Sequence, residues 1–244
     1  MGLEASQIEQ LNTDNALTAH RVSAKIDRGL VESNLRLTTA LFPEESTAAD
    51  GLGRAYEALM NGSGRFEDYD LLEYFVYTTG EGKEKRVVGG SGFYRLIAGS
   101  SESEEVLEKL RSNPPRSVSF LRNQNCKTRD FLWGGRLGIE LDSARSPSVM
   151  PYILRHILST AADIIQWHTL APALLAFTRR ENNQRVQKFY SQLGFEKTGG
   201  TLHFKGEPQD VFVLALNGKA EIHQRLSRLV QVDRRRTSRP PRAA

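Results

Sequence analysis

Residues 173–195 constrain this chain more than any other stretch. Ala173-Leu174-Leu175-Ala176-Phe177 is an unbroken apolar run and reads as a buried strand. A polar loop, Thr178-Arg179-Arg180-Glu181, leads out of it. Val186, Phe189, Tyr190 and Leu193 then fall at i, i+3, i+4 and i+7, one apolar stripe on a short helix. Asn182 or Asn183 suits the helix start, where a short polar side chain satisfies free amide groups. Gly194 suits the left-handed residue that closes such a helix.

The elements on either side extend this unit. Before it, Val149 to Trp167 keeps helical spacing through Ile153, Leu154, Ile157, Leu158, Ala161, Ile164 and Ile165. Phe131 to Leu141 is the strand ahead of that helix. Strand, long helix and strand in this order require parallel pairing with a right-handed crossover. After the short helix, Thr198 to Phe204 and Asp210 to Leu216 form a closing pair of strands with a turn at Gly206-Glu207-Pro208.

The first half is read in the same way. Val22 to Ile26 alternates apolar and polar residues and is expected as the first strand. Helices are expected at Leu30 to Leu41 and Leu52 to Met60, the first stopped by Phe42-Pro43. The aromatic-rich run Leu71 to Thr78 and the run Arg86 to Ile97 read as strands joined at Gly80 to Lys85. Gly89, Gly90 and Gly92 inside the second of these imply a bulge, or a close approach of backbone to substrate. Residues 100–126 are an insertion containing a small helix at Val106, Leu107 and Leu110.

The domain organisation follows: a polar N-terminal tail at 1–20, one domain at 21–217, and a basic, partly disordered tail at 218–244. From Asn217 onward eight Lys or Arg face two acids, a net +6, so the rest of the chain carries −2 of the total +4. The high pI therefore belongs to the tail. One cysteine, Cys126, excludes an internal disulfide framework and fits a reducing, cytoplasmic setting. No run is apolar enough for a membrane span, since Asp163, Gln166, His168 and Pro172 interrupt the best candidate. The five histidines show no metal-ligand spacing, so no metal is expected.

Asn183, Val186, Tyr190 and Gly194-Phe195 reproduce the Asn…Ala…Tyr…Gly-Phe pattern of the GNAT N-acetyltransferase superfamily, with Val186 in place of the usual alanine. The element order resembles that superfamily over residues 21–217. The resemblance implies an α/β (α+β) GNAT acyl-CoA N-acyltransferase fold: a mixed central sheet of about seven strands with helices on both faces. It implies acetyl-CoA or another acyl-CoA as co-substrate. In that fold the turn before the long helix grips the coenzyme pyrophosphate through backbone N–H groups and the helix dipole. The family pattern Gln/Arg-x-x-Gly-x-Gly/Ala falls here on Arg145-Ser146-Pro147-Ser148-Val149-Met150. Arg145 matches, and Ile153 and Leu154 match the apolar pair downstream. Ser148 and Met150 stand where glycines are usual, which implies a reshaped cradle. Ser146 as cap and Pro147 in the first turn still make a good helix start.

The resemblance assigns roles residue by residue. Tyr190 matches the tyrosine whose hydroxyl faces the coenzyme sulfur as general acid; a core tyrosine on the apolar stripe is the bland alternative. Asn183 matches a coenzyme contact and also serves as a helix cap. Ile139 and Leu141 present backbone to the pantetheine arm. Arg145, Ser146, Ser148, Val149 and Met150 form the pyrophosphate site. Glu140 is the candidate general base, with Asp142 and Glu73 as other carboxylates. The carboxylate that some relatives carry earlier on this strand is absent from Trp133-Gly134-Gly135-Arg136.

The function so implied is transfer of an acetyl or other short acyl group to a primary amine of a small molecule or protein. Two alternatives share the fold: a catalytically weakened binding or regulatory module, and an acyltransferase fed by aminoacyl-tRNA. The expected partner is the small-molecule or peptide amine, with a homodimer compatible, no membrane, and nucleic acid only through the basic tail.

Overall fold

The computed structural model describes residues 17–41, 46–61, 69–97, 104–105, 108, 110, 130–140, 142–143, 149–179, 184–199, 202–204 and 207–216. Residues 1–16, residues 217–244, most of the 100–126 insertion and the residues 144–148 lie outside them, whereas residues 17–20 of the expected N-terminal tail are described.

The strands are β1 (Thr18–Arg21), β2 (Tyr69–Thr79), β3 (Arg86–Leu96), β4 (Phe131–Ile139), β5 (Ala173–Arg179), β6 (Glu196–Lys197), β7 (Leu202–Phe204) and β8 (Glu207–Ala215). The helices are α1 (Arg28–Leu41), α2 (Ser46–Met60), α3 (Val149–Trp167) and α4 (Gln184–Gln192). The strands form one eight-stranded sheet in the order β1-β2-β3-β4-β5-β8-β6, with β7 also on β8. β4 and β5 are parallel, paired at Leu132–Leu174 and Trp133–Leu175, as a helical crossover between them demands. β8 runs antiparallel along the whole of β5, from Ala173–Ala215 to Arg179–Gln209. The mixed sheet agrees with the expected fold class.

Several elements differ from the sequence reading. The first strand is Thr18–Arg21, not Val22 to Ile26. Val22 adds one further bond, its N–H to the Tyr74 carbonyl, and the chain then turns, with Ile26 N–H on Ser23 O. Asp27 caps α1 by accepting from Gly29 N–H at 2.9 Å. The alternation at 22–26 thus belongs to a turn whose apolar residues, Val22 and Ile26, dip into a core. α2 begins six residues before the expected Leu52, at Ser46. β4 ends at Ile139, so Glu140 follows the strand and Leu141 lies outside the described residues. Of the expected strand Thr198 to Phe204 only Leu202–Phe204 is β7, the short β6 lies ahead of it at Glu196–Lys197, and Glu207 and Pro208 belong to β8 rather than to a turn.

The described residues gather into two compact units: those of 1–65, 71–92 and 136–157, and those of 66–70, 93–135 and 158–244. The first unit has its own core of Val22, Leu30, Val31, Leu52, Tyr56, Tyr74 and Val76. The second is built on Leu96, Leu110, Phe131, Leu175, Val211 and Val213, among others. There Trp133 stacks on Tyr94 at 4.6 Å and tilts against Phe177 at 5.1 Å, so the Trp133-Gly134-Gly135 stretch supplies an aromatic cluster.

Candidate active site

In the second unit the site is built around α4. Gly194 has φ +85°, the left-handed conformation expected of it. Phe195 N–H reaches Tyr190 O at 3.0 Å and Gly194 N–H reaches Ser191 O at 3.0 Å. These two bonds are a Schellman cap, and the apolar contact that accompanies such a cap is here the Tyr190–Phe195 ring pair at 5.1 Å. The Tyr-x-x-x-Gly-Phe spacing therefore has a mechanical meaning: the glycine ends the helix, and the phenylalanine folds back onto the tyrosine. Phe212 of β8 also packs on the Tyr190 ring, with centroids 5.2 Å apart. Desolvation pushes the Tyr190 hydroxyl up to about 12, so it stays protonated throughout the working range of pH.

A polar knot flanks this tyrosine. Asp210 of β8 is 2% exposed, and its Oδ2 accepts from Gln187 Nε2 at 2.8 Å and from Lys197 Nζ at 2.7 Å. A buried carboxylate needs such partners, because burial without them is strongly unfavourable. Sequence reasoning missed this group. Its one signal was an acid heading the otherwise apolar run Val211 to Leu216.

In the first unit, Glu140 is already occupied. Its N–H donates to Val88 O at 2.9 Å, its Oε1 accepts from Arg86 at 2.9 Å, and its Oε2 accepts from Ser143 Oγ at 2.7 Å. These bonds tie the end of β4 to β3 and to Ser143. Glu73 is likewise paired, with Arg21 at 2.9 Å. Ile139 is half-buried at the end of β4. At the head of α3, Val149 is buried, Met150 is half-buried, and the first turn contains no carboxylate. Val149 and Met150 carry amide N–H groups in its first turn, whereas Pro151 has none. Those donors and the absence of negative charge fit an anionic pyrophosphate. Leu141, Arg145, Ser146, Ser148 and Asn183 lie outside the described residues.

A second polar cluster in this unit went unread in the sequence. The Tyr77 hydroxyl lies 2.7 Å from Ser91 Oγ and 3.2 Å from His156 Nδ1. Phe75 meets the imidazole edge-on at 4.5 Å. Burial lowers the His156 pKa and raises that of Tyr77. No helix among the described residues is long and apolar enough to cross a membrane, and no three His, Cys, Asp or Glu side chains among them gather to hold a metal ion.

No family model and no curated protein matches the sequence. Solved structures do match the fold. A bacterial toxin superposes with TM-score 0.53 at 11% identity, covering 86% of this chain and 95% of its own. AtaTR bound with AcCoA superposes at TM-score 0.50 and 14% identity, covering 85% and 96%. A GNAT-family protein from Desulfovibrio desulfuricans covers 82% of this chain and 99% of its own, at TM-score 0.47 and 16% identity. The class that the architecture defines is the mixed α+β sheet with a parallel crossover at its centre. Within that class, the fold is one that this chain shares with AtaTR and with the bacterial toxin.

Proposed function

We propose that the chain is an acyl-CoA-dependent N-acyltransferase, moving an acetyl or other short acyl group to a primary amine of a small molecule or protein. The observation that carries this is Tyr190, fixed by its own helix cap and by Phe212 on a GNAT fold. AtaTR, one of the similar structures, holds AcCoA, which supports the choice of co-substrate. A cytoplasmic setting goes with the proposal, from the single Cys126.

Acyl-CoA would supply the acyl group. In the transfer the amine nitrogen forms a bond to the acyl carbon, the carbon–sulfur bond breaks, and the thiolate takes up a proton. The amine loses its own proton to solvent. Tyr190 is the proposed donor to the departing sulfur. At about 12 its hydroxyl is a weaker acid than an ordinary thiol, which titrates near about 8.5. Complete transfer to a thiolate is therefore uphill. The role assigned is a permanent hydrogen bond to developing negative charge, of the kind that stabilises a transition state in a desolvated site. Glu140, engaged at both oxygens, is assigned to holding the end of β4. Val149 and Met150 are proposed to offer their amides to the pyrophosphate, together with Arg145, Ser146 and Ser148. Ile139 and Leu141 are proposed to face the pantetheine, and Asn183 to contact the coenzyme.

Isothermal titration of the full chain with acetyl-CoA is the test. Saturable binding is expected, and no heat of binding at millimolar coenzyme defeats the proposal. A binding module without catalysis is favoured by one feature, the Met150 side chain at the head of α3. It predicts binding without any release of free thiol.

A further inference from the structure

We propose that Asp210 is a positioning residue for Tyr190, acting through Gln187. This rests on the reading of Tyr190 as the donor to the departing sulfur.

Gln187 and Tyr190 are three residues apart on α4 and share one face of the helix. Asp210 and Phe212 are two residues apart on β8 and share one face of the strand. The two pairs meet in order: Gln187 on Asp210 at 2.8 Å, Tyr190 on Phe212 at 5.2 Å between centroids. The rise between i and i+3 on a helix is about 4.5 Å. Two strand residues span about 6.7 Å. The attachment is thus two-point, one point polar and directional, the other aromatic. An aromatic contact alone lets the helix slide or roll. The hydrogen bond from Gln187 fixes both.

Charge explains why an acid stands at this position. Asp210 is almost fully buried, yet it lies within reach of Lys197 of β6, which is itself 44% exposed at its side chain. Lys197 neutralises the carboxylate, so Gln187 is not needed for charge balance. Its amide contributes geometry. β6 is also paired with β8 at Lys197–Phe212, so the cation that pairs with Asp210 stands on the strand next to Phe212. Sequence periodicity places Gln187 between Val186 and Lys188, off the apolar stripe, where a surface residue is expected. It is instead half-buried and bonded inward.

The experiment uses the full chain labelled with 3-fluorotyrosine and acetyl-CoA as probe. The Tyr190 resonance is assigned by its loss in Tyr190→Phe. Gln187→Met keeps the length of the side chain and leaves the Asp210–Lys197 pair in place. It is expected to shift or broaden the Tyr190 resonance while the other tyrosines stay put. Release of free thiol from acetyl-CoA, with the acetyl group passing to an added primary amine or to water, should fall roughly ten- to a hundredfold, as small misplacements of a reacting group do, with the coenzyme dissociation constant within about twofold of wild type. In the Tyr190→Phe background, Gln187→Met should add no further loss, because the two act as one unit. Asp210→Asn should reproduce the resonance change if it folds; Gln187→Met decides the matter if it does not. An unmoved Tyr190 resonance in Gln187→Met overturns the inference, as does a loss of thiol release that is additive with Tyr190→Phe. Unchanged thiol release in Tyr190→Phe defeats the donor reading instead, and the resonance measurement still decides whether Gln187 holds the ring.

Discussion

A methyl group on Gly89 would sit 2.5 Å from the Gly138 carbonyl oxygen and 3.3 Å from Ile139 Cα. One on Gly90 would meet the Tyr74 hydroxyl at 2.7 Å and the Asn34 amide at 2.8 Å. Asn34 is 1% exposed and donates to the Tyr56 hydroxyl at 2.5 Å and to Tyr74 at 3.2 Å, so neither neighbour can swing away. Gly89→Ala is expected to cost about 1–3 kcal/mol, the range of overpacking in a filled interior. Urea denaturation reads this as a lower midpoint at unchanged slope; an unmoved midpoint would show that β4 gives way freely. The glycine cluster was legible in the sequence as a close approach, but its partner was not. Spacing shows that a side chain is excluded. It does not show that the neighbour is the next strand and a buried asparagine rather than a ligand. Gly194 was legible in full, because a left-handed closing residue is a local requirement that the helix pattern itself locates.

Helix α3 is the element whose limits were most legible in the sequence, Val149 to Trp167. Its apolar positions repeat over five turns and its interior residues, such as Ile153 and Ala161, are fully buried. Short strands behaved otherwise. β6 at Glu196–Lys197 went unread, because two residues carry no pattern, and the strand expected from Thr198 shows as β7 only from Leu202, although Thr198 N–H still bonds to Val211 O at 2.9 Å. The head of α3 also holds the clearest departure from the family pattern, and it yields a prediction on the scale of the element. If Met150 obstructs an anion approaching the first turn, Met150→Gly tightens acetyl-CoA binding. If it does not, the change only weakens the helix, by about 1 kcal/mol. Titration calorimetry and urea denaturation on the same variant separate these outcomes. Tighter binding together with lower stability supports the obstruction; lower stability alone removes Met150 from the coenzyme site.

For the whole molecule, fold class was legible and proton linkage was not. Element order, a parallel crossover and one motif suffice for the architecture, since each is a local pattern. The cluster of Tyr77, Ser91 and His156 joins β2, β3 and α3 across 79 residues of sequence, and no spacing announces it. Its consequence is a pH dependence of folding. Burial lowers the His156 pKa below the ordinary 6.5, and burial with the nearby Lys85 lowers that of His20. The unfolded chain then binds protons first as pH falls, and stability falls with it. Stability from these groups is complete above about 6.5, the unfolded value, and declines as pH drops below it toward the folded values. Tyr77 is the titratable group facing the His156 ring; its raised pKa keeps it neutral over this range. Urea titrations from pH 7.5 to 5.5 should show a free energy that is level at the top and slopes down toward the acid end. His156→Asn leaves an acceptor near the Tyr77 hydroxyl but cannot take up the proton, so its profile should be flatter over the same window. A variant with the same slope as wild type would mean that the imidazole is as easily protonated in the folded chain as in the unfolded one.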